Sequence, residues 1–287
     1  MTQTPQAVLS VDLELFEHTP AARGADEELS GTGIGRSGVA YLREQFETRS
    51  IETTWFVVGE VAETHPEMVA ELAESGHEIG GHTHTHRLLG ELEPDERRQE
   101  LERSKRALES ATGQTVDGFR APAFDIPPAH FAQLAAEGYT YDSSVLASRR
   151  IPGWYGGEFE LERPAPARAV DEDAPGGIDE LPVSVMPGVK LPLTGTWLRF
   201  FGPRYTLAGM QWLRRRGIAP VLYVHPWEFV DLPDVSGVPR RVYYHTGAWM
   251  RRAVNRILGA PFDFVTARKV LSAARRDRDA WLEVGER

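Results

Sequence analysis

Short apolar runs alternate with amphipathic stretches from one end of this chain to the other, and several of the runs end on a polar residue. Ala7-Val8-Leu9-Ser10-Val11-Asp12 reads as a buried strand closing on Asp12-Leu13-Glu14. Residues 15–36 are polar and glycine-rich, as a loop would be, and Val39, Leu42 and Phe46 then recur at helical spacing. A second strand is expected over Thr53–Gly59, a helix over 60–74 stopped by Gly76, and a short third strand over His77-Glu78-Ile79. Pro94–Ser110 has the pattern of a charged helix with Leu101, Ala107 and Leu108 on its apolar side. Strand and then loop follow over Val116–Phe124, a helix from Pro127 to Gly138, and a strand over Tyr139–Asp142. Residues 149–192 are irregular, rich in Pro, Gly and acids, and strand-like only over Glu180–Val185. Beyond them come a helix over 206–215, the apolar strand Pro220–His225, a helix over 246–258, a strand over Phe262–Val265 and a last helix over 267–274.

Such alternation fits a largely parallel sheet or barrel with right-handed crossovers. The carboxyl ends of the strands meet there at one face, where ligands bind. Polar residues mark those ends: Asp12 with Glu14, His82 with His86, Arg120, and His225. No linker and no repeat of about 20–50 residues interrupts the pattern, so one domain over 1–287 is expected, with 149–192 as an irregular insertion.

The stretch Ser75-Gly76-His77-Glu78-Ile79-Gly80-Gly81-His82-Thr83-His84-Thr85-His86 holds four of the chain's nine histidines. A neutral imidazole is a good donor near pH 7, and His82 and His86 converge on one ion if the segment makes a single turn. A polar surface turn is the plainer alternative. Asp12 and Glu14 point the same way if the strand continues through them; an acidic loop would look similar. Two histidines and one carboxylate leave open positions on a zinc-type ion, and a second carboxylate and a further histidine supply base and acid.

The charge balance narrows the partners. With net charge −10 and pI ≈ 5.5, neither nucleic acid nor an anionic membrane surface is expected. No cysteine is present, which excludes disulfides, thiolate ligands and a cysteine nucleophile. No apolar run approaches the roughly 18 residues of a membrane span. Met1-Thr2-Gln3-Thr4-Pro5 lacks the basic and apolar regions of a signal peptide, so a cytoplasmic location is the expectation. Nothing in the sequence sets an oligomeric state.

From Val8 to about Phe264 the chain resembles the polysaccharide deacetylases with the NodB homology domain, carbohydrate esterase family 4. Ser10-Val11-Asp12-Leu13-Glu14 is similar to the first motif of that family, and Gly76–His86 to the second. Phe119-Arg120-Ala121-Pro122 resembles the third, Leu222-Tyr223-Val224-His225 the Leu-x-x-His motif, and Thr53–Gly59 the second strand. Tyr141-Asp142-Ser143-Ser144, Glu180-Leu181-Pro182 and His225-Pro226-Trp227-Glu228 resemble the subgroup found with exopolysaccharide and exosortase gene sets. The resemblance implies an α/β fold, a distorted (β/α) barrel of seven strands, and an N-acetylated carbohydrate substrate. It also implies a divalent metal ion, zinc first, with cobalt, nickel, iron or manganese also compatible.

The family's first motif has two adjacent aspartates, a base and then a ligand; here Leu13 stands in the second place. The ligand role passes to Glu14, with His82 and His86, and the base role to Asp12. The resemblance makes Arg120 the residue that positions Asp12, with a structural salt bridge as the alternative. His225 is then the general acid, the alternative being a core histidine, and Asp142 a candidate to orient it. Ala123 would offer an oxyanion N–H. Phe124, Trp154, Trp197 and Trp227 are candidates to stack on a sugar ring, although core packing suits each of them. His84 is expected behind the site or on the surface. Two other readings fit the same residues: a C–N hydrolase of this fold acting on a small cyclic amide, and an inactive carbohydrate-binding homologue.

Overall fold

The computed structural model describes residues 4–151 and 156–285, with 277–285 as backbone alone, so Trp154 lies outside the described residues. Its strands are β1 (Gln6–Leu13), β2 (Thr54–Val57), β3 (Glu78–Gly81), β4 (Gly118–Phe119), β5 (Tyr141–Asp142), β6 (Ala165–Pro166), β7 (Asp179–Glu180), β8 (Val221–Val224) and β9 (Asp263–Phe264). They form one sheet in the order β6-β7-β5-β4-β3-β2-β1-β8, with β9 added to β1. Only the β6–β7 pair is antiparallel.

The sheet curls until its ends meet. Leu146 bridges Val183 beyond β5 and β7. Ser184 N–H then donates to Val221 O on β8 at 2.8 Å, and Val221 N–H donates to Ser184 Oγ at 2.9 Å. Thr194 bridges Tyr223 from the same stretch. The join therefore consists of single bridges rather than a ladder. Of the nine strands, all but β6 and β9 go round this ring, and those two are the excess over the seven expected. The fold is a distorted α/β barrel, and the irregular 149–192 segment supplies its closing stave.

Strand alternation sorts the two cores. Leu9, Val11 and Leu13 of β1 face the surrounding helices, packing with Val39, Leu42 and Phe46. Val8 faces inward with Phe56, Tyr141, Val221 and Tyr223, and Ser10 and Asp12 continue that inner row upward to meet Arg120. At Gly118 the wall leaves no room for a side chain: a Cβ would stand 2.1 Å from the Tyr141 ring. The helix expected over 60–74 is two, Gly59–Thr64 and Pro66–Glu74, because proline opens a helix but cannot continue one. The helix expected over 206–215 runs Gly195–Arg215, bent at Gly202 (φ 79°) just before Pro203. Among the described residues no helix is long and apolar enough to cross a membrane.

His77, beside the metal-like stretch in sequence, is a core residue. Its ring packs edge-on to Phe46 at 5.7 Å and tilted to Trp55 at 5.8 Å, and its Nδ1 accepts the Thr53 N–H at 3.2 Å. Burial pushes the ring down to about 4 from the ordinary 6.5. A depressed histidine pKa contributes its stability in full above pH 6.5 and loses it as pH falls toward 4. This group alone should cost roughly 2 kcal/mol between pH 7.5 and 5. Urea titrations should show that fall, and His77→Gln, which keeps an acceptor for Thr53, should remove it; identical pH slopes in both proteins would count against the assignment.

Candidate metal centre and active site

The chain needs unusual backbone to bring His82 and His86 together. Thr83 and His86 lie in the left-handed region at φ 56° and 57°, where a side chain costs about 1–3 kcal/mol. The turn is held from several sides. Glu100 Oε2 accepts the N–H groups of His84 and Thr85 at 2.9 and 2.8 Å, and Thr83 O and His84 O accept the Gly59 and Glu60 N–H groups, each at 2.9 Å. His82 and His86 therefore meet across a strained turn, not along a helix. His84 is buried beneath Gly59, with Nε2 3.5 Å from Glu63, and reaches neither the surface nor the ligand set.

Donor atoms of Glu14, His82 and His86 all lie within 4.8 Å of one another, and all three residues are buried. Each ring is fixed by a backbone carbonyl. His82 Nδ1–H donates to Arg120 O at 2.7 Å, and His86 Nδ1–H donates to His18 O at 3.0 Å. Both rings therefore turn an Nε2 lone pair inward. Glu14 Oε1 accepts the Trp227 indole N–H at 3.0 Å. Glu14 Oε2 has no hydrogen-bond donor, yet stands 2.6 Å from His86 Nε2. Two imidazole Nε2 atoms and a carboxylate oxygen, all buried, thus converge in a donor set that suits a cation. Burial pushes His82 down to about 4, so it is neutral near pH 7. Burial alone would raise Glu14, but His86, His225 and His82 together keep it well below the carboxylate range.

Asp12 lies beside this set on the same face of β1. Arg120, at the end of β4, donates to Asp12 Oδ1 at 2.6 Å and to Ser10 Oγ at 2.9 Å. Its other nitrogens donate to Ser143 O at 3.0 Å and Ser143 Oγ at 2.9 Å. The guanidinium lies over the Phe56 ring at 4.2 Å. Every arm is occupied, in a site with almost no solvent.

His225 follows β8, with Nε2 3.7 Å from Glu14 Oε1. Its Nδ1 faces Glu228 Oε2 at 3.5 Å, and the same carboxylate pairs with Arg199 Nε at 2.9 Å. Burial would lower His225, but Glu228 and the neighbouring carboxylates outweigh it and raise the ring to about 9. Asp142 therefore does not orient His225. Asp142 Oδ2 instead meets His130 Nε2 at 3.1 Å, and the β7 stretch stands between β5 and β8 in the ring. Glu228 was readable in principle, since a turn opening at Pro226 carries the residue three places on back beneath His225. Arg199, Ser143 and Ser144 gave no such signal.

The aromatic residues also need correction. Trp227 is buried, holds Glu14 by its N–H, and stacks on His225 at 5.3 Å and 19°; it braces the site rather than offering a platform. The Phe124 ring packs edge-on to Tyr223 at 5.5 Å inside the barrel, and its N–H donates to Ala121 O. Ala123 is exposed at the barrel mouth and, with Phe124, has left-handed backbone at φ 52° and 60°. Trp197 is half-buried and stacks on Phe201 at 5.6 Å.

Comparison with known proteins bears out the fold. Residues 36–141 match the family model "Polysaccharide deacetylase", and residues 143–272 match "Domain of unknown function (DUF3473)". A peptidoglycan deacetylase of Helicobacter pylori is 26% identical over 127 residues, 44% of this chain and 43% of its own. The chain spans only 21% to 43% of the length of such curated relatives. Among solved structures, a Mycobacterium smegmatis protein assigned to the polysaccharide deacetylases superposes with TM-score 0.68 at 21% identity, covering 97% of this chain and 93% of that one. The PuuE allantoinase does so with TM-score 0.62 at 15% identity, covering 95% and 91%. By these matches, residues 36–141 carry a polysaccharide deacetylase domain of the NodB type, and residues 143–272 a DUF3473 region.

Proposed function

We propose that this protein is a metal-dependent hydrolase that removes N-acetyl groups from an N-acetylated sugar or polysaccharide. The observation that carries the reading is the convergence of Glu14, His82 and His86, with Asp12–Arg120 on one side and His225–Glu228 on the other. Zinc suits two imidazoles and one carboxylate that leave room for substrate and water. Bound there, such an ion supplies Lewis-acid polarisation of the amide carbonyl and acidifies a water.

The chain's own groups do the rest. Asp12 accepts the proton of the attacking water, and the adjacent Arg120 aims that carboxylate. The exposed Ala123 N–H holds the oxyanion as charge develops. His225, charged beside Glu228, protonates the departing nitrogen, and Arg199 fixes the Glu228 carboxylate that aligns it. The same groups would open a cyclic amide, and the fold is shared with an allantoinase. Acetate release from N-acetylated glycans, run beside ring-opening assays on cyclic amides, decides between them; ring opening without acetate release would reject the deacetylase reading.

Purified protein should bind about one divalent ion per chain, and chelation should abolish turnover until Zn²⁺ or Co²⁺ is returned. Glu14→Ala should lose metal affinity by more than the 10- to 100-fold typical of losing a positioning partner. Asp12→Asn should retain the ion while turnover falls roughly 10²- to 10⁴-fold. Elemental analysis and single-turnover rates on both variants check this, and a reversed pattern would exchange the two roles.

The pH profile tests the acid. A raised pKa keeps His225 protonated, and so able to donate, until pH rises toward 9. The alkaline limb of kcat/KM should therefore sit high in the native protein and move to lower pH in Glu228→Gln, while Asp142→Asn should leave that limb in place. No movement in Glu228→Gln would return His225 to a packing role.

A further inference from the structure

Across the barrel from His225 lies a buried polar group that the mechanism above does not use. The Arg120–Ala121 peptide is held at both ends. Its carbonyl accepts from His82 Nδ1 at 2.7 Å, and its N–H donates to Ser144 Oγ at 2.8 Å. Ser144 has a single hydroxyl proton, and Asp142 Oδ1 takes it at 2.6 Å. One peptide plane thus connects a metal-facing imidazole to a carboxylate two hydrogen bonds behind it.

That carboxylate has an acidic neighbour. In the parallel β5–β7 pair, Glu180 stands directly opposite Asp142, and both are wholly buried. Like charges so placed in a low dielectric do not both ionise. Asp142 has partners at both oxygens, Ser144 and His130. Glu180 Oε1 accepts the Val145 N–H at 2.9 Å, whereas its Oε2 has no donor among the described residues. The Arg120 guanidinium is already committed to Asp12, Ser10 and Ser143. The proton therefore belongs on Glu180, and burial together with the charge of Asp142 raises that carboxyl well above its usual range.

We propose that Asp142 and the Glu180 opposite it are positioning residues for the metal ligand His82, acting through Ser144 and the Arg120–Ala121 peptide. Asp142, accepting the Ser144 hydroxyl, polarises that hydroxyl and the peptide beyond it, which makes Arg120 O a stronger acceptor and the His82 Nε2 lone pair a better donor. Neutral Glu180 removes the repulsion that a second buried charge would bring. The inference rests on the metal reading above and concerns ligand strength, not substrate.

The test is equilibrium competition for Zn²⁺ against a chelator, with the absorption spectrum of the Co²⁺-loaded protein as a second readout. Ser144→Ala and Asp142→Asn should each weaken Zn²⁺ roughly 10- to 100-fold and shift the Co²⁺ bands. Glu180→Gln, neutral and still a donor, should stay within about threefold of native affinity, whereas Glu180→Leu should fall with Asp142→Asn. A purely structural role would lower the melting temperatures of these variants and leave the Co²⁺ bands unmoved, which would overturn the proposal. So would a Glu180→Gln as impaired as Glu180→Leu. Native protein that binds no ion overturns the metal reading and this inference together; native binding unchanged in Ser144→Ala overturns the inference alone.

Discussion

Arg120 reaches across the barrel from the end of β4 to Asp12 on β1, and almost no water helps the 2.6 Å contact between them. Two charges in such a place gain little net stability from each other, because desolvation offsets most of the attraction. Removing either one is another matter: it strands the other, at about 3–5 kcal/mol. The pair acts as a tie between strands that are not neighbours, and the rest of the network leans on it. Ser10 passes the contact to Leu222 on β8, and Ser143 passes it to Leu181. Opposite sides of the ring are thereby fixed at the height where Asp12 must stand.

Above that tie, the backbone itself is under strain. The left-handed residues Thr83, His86, Ala123 and Phe124 fall in two short turns, one bearing the candidate metal ligands and the other the candidate oxyanion donor. Neither turn would hold alone. Glu100 braces the first with one carboxylate, and the second is anchored by Ser144 at Ala121. Strain concentrated at a site and supported from behind is the usual signature of an arrangement selected for geometry rather than stability.

Much of this was legible in the chain. Strand alternation fixed the fold class, since β-branched runs separated by helical spacing have few ways to be buried. Asp12 and Glu14 do reach one site, although β1 ends at Leu13 and the Glu14 N–H turns back to Asp12 O at 3.0 Å, so strand alternation is not what aligns them. What stayed hidden depended on long-range packing. Nothing local distinguishes Asp142, which turns toward His130, from a carboxylate beneath His225, because the choice is made by which strands close the ring. Trp227 was open to two readings, a sugar platform or a packed core residue, and only the position of Glu14 shows what its indole N–H holds. The irregular 149–192 segment offered no periodicity to read, since its part in the barrel is made of single bridges.

That closing join has a consequence for how the molecule assembles. β1 pairs with β8 in register from Val8 opposite Val221, and Ser10 bonds Leu222 across a separation of 212 residues. β1 is made well before β8, and β9 pairs with it later still. Contacts of such sequence separation form late and slow a fold down. Until then β1 offers an open apolar edge, the situation in which a nascent chain most needs a chaperone. The candidate base and the candidate ligand carboxylate sit on β1 or just beyond it, yet their pocket takes shape only when the ring closes.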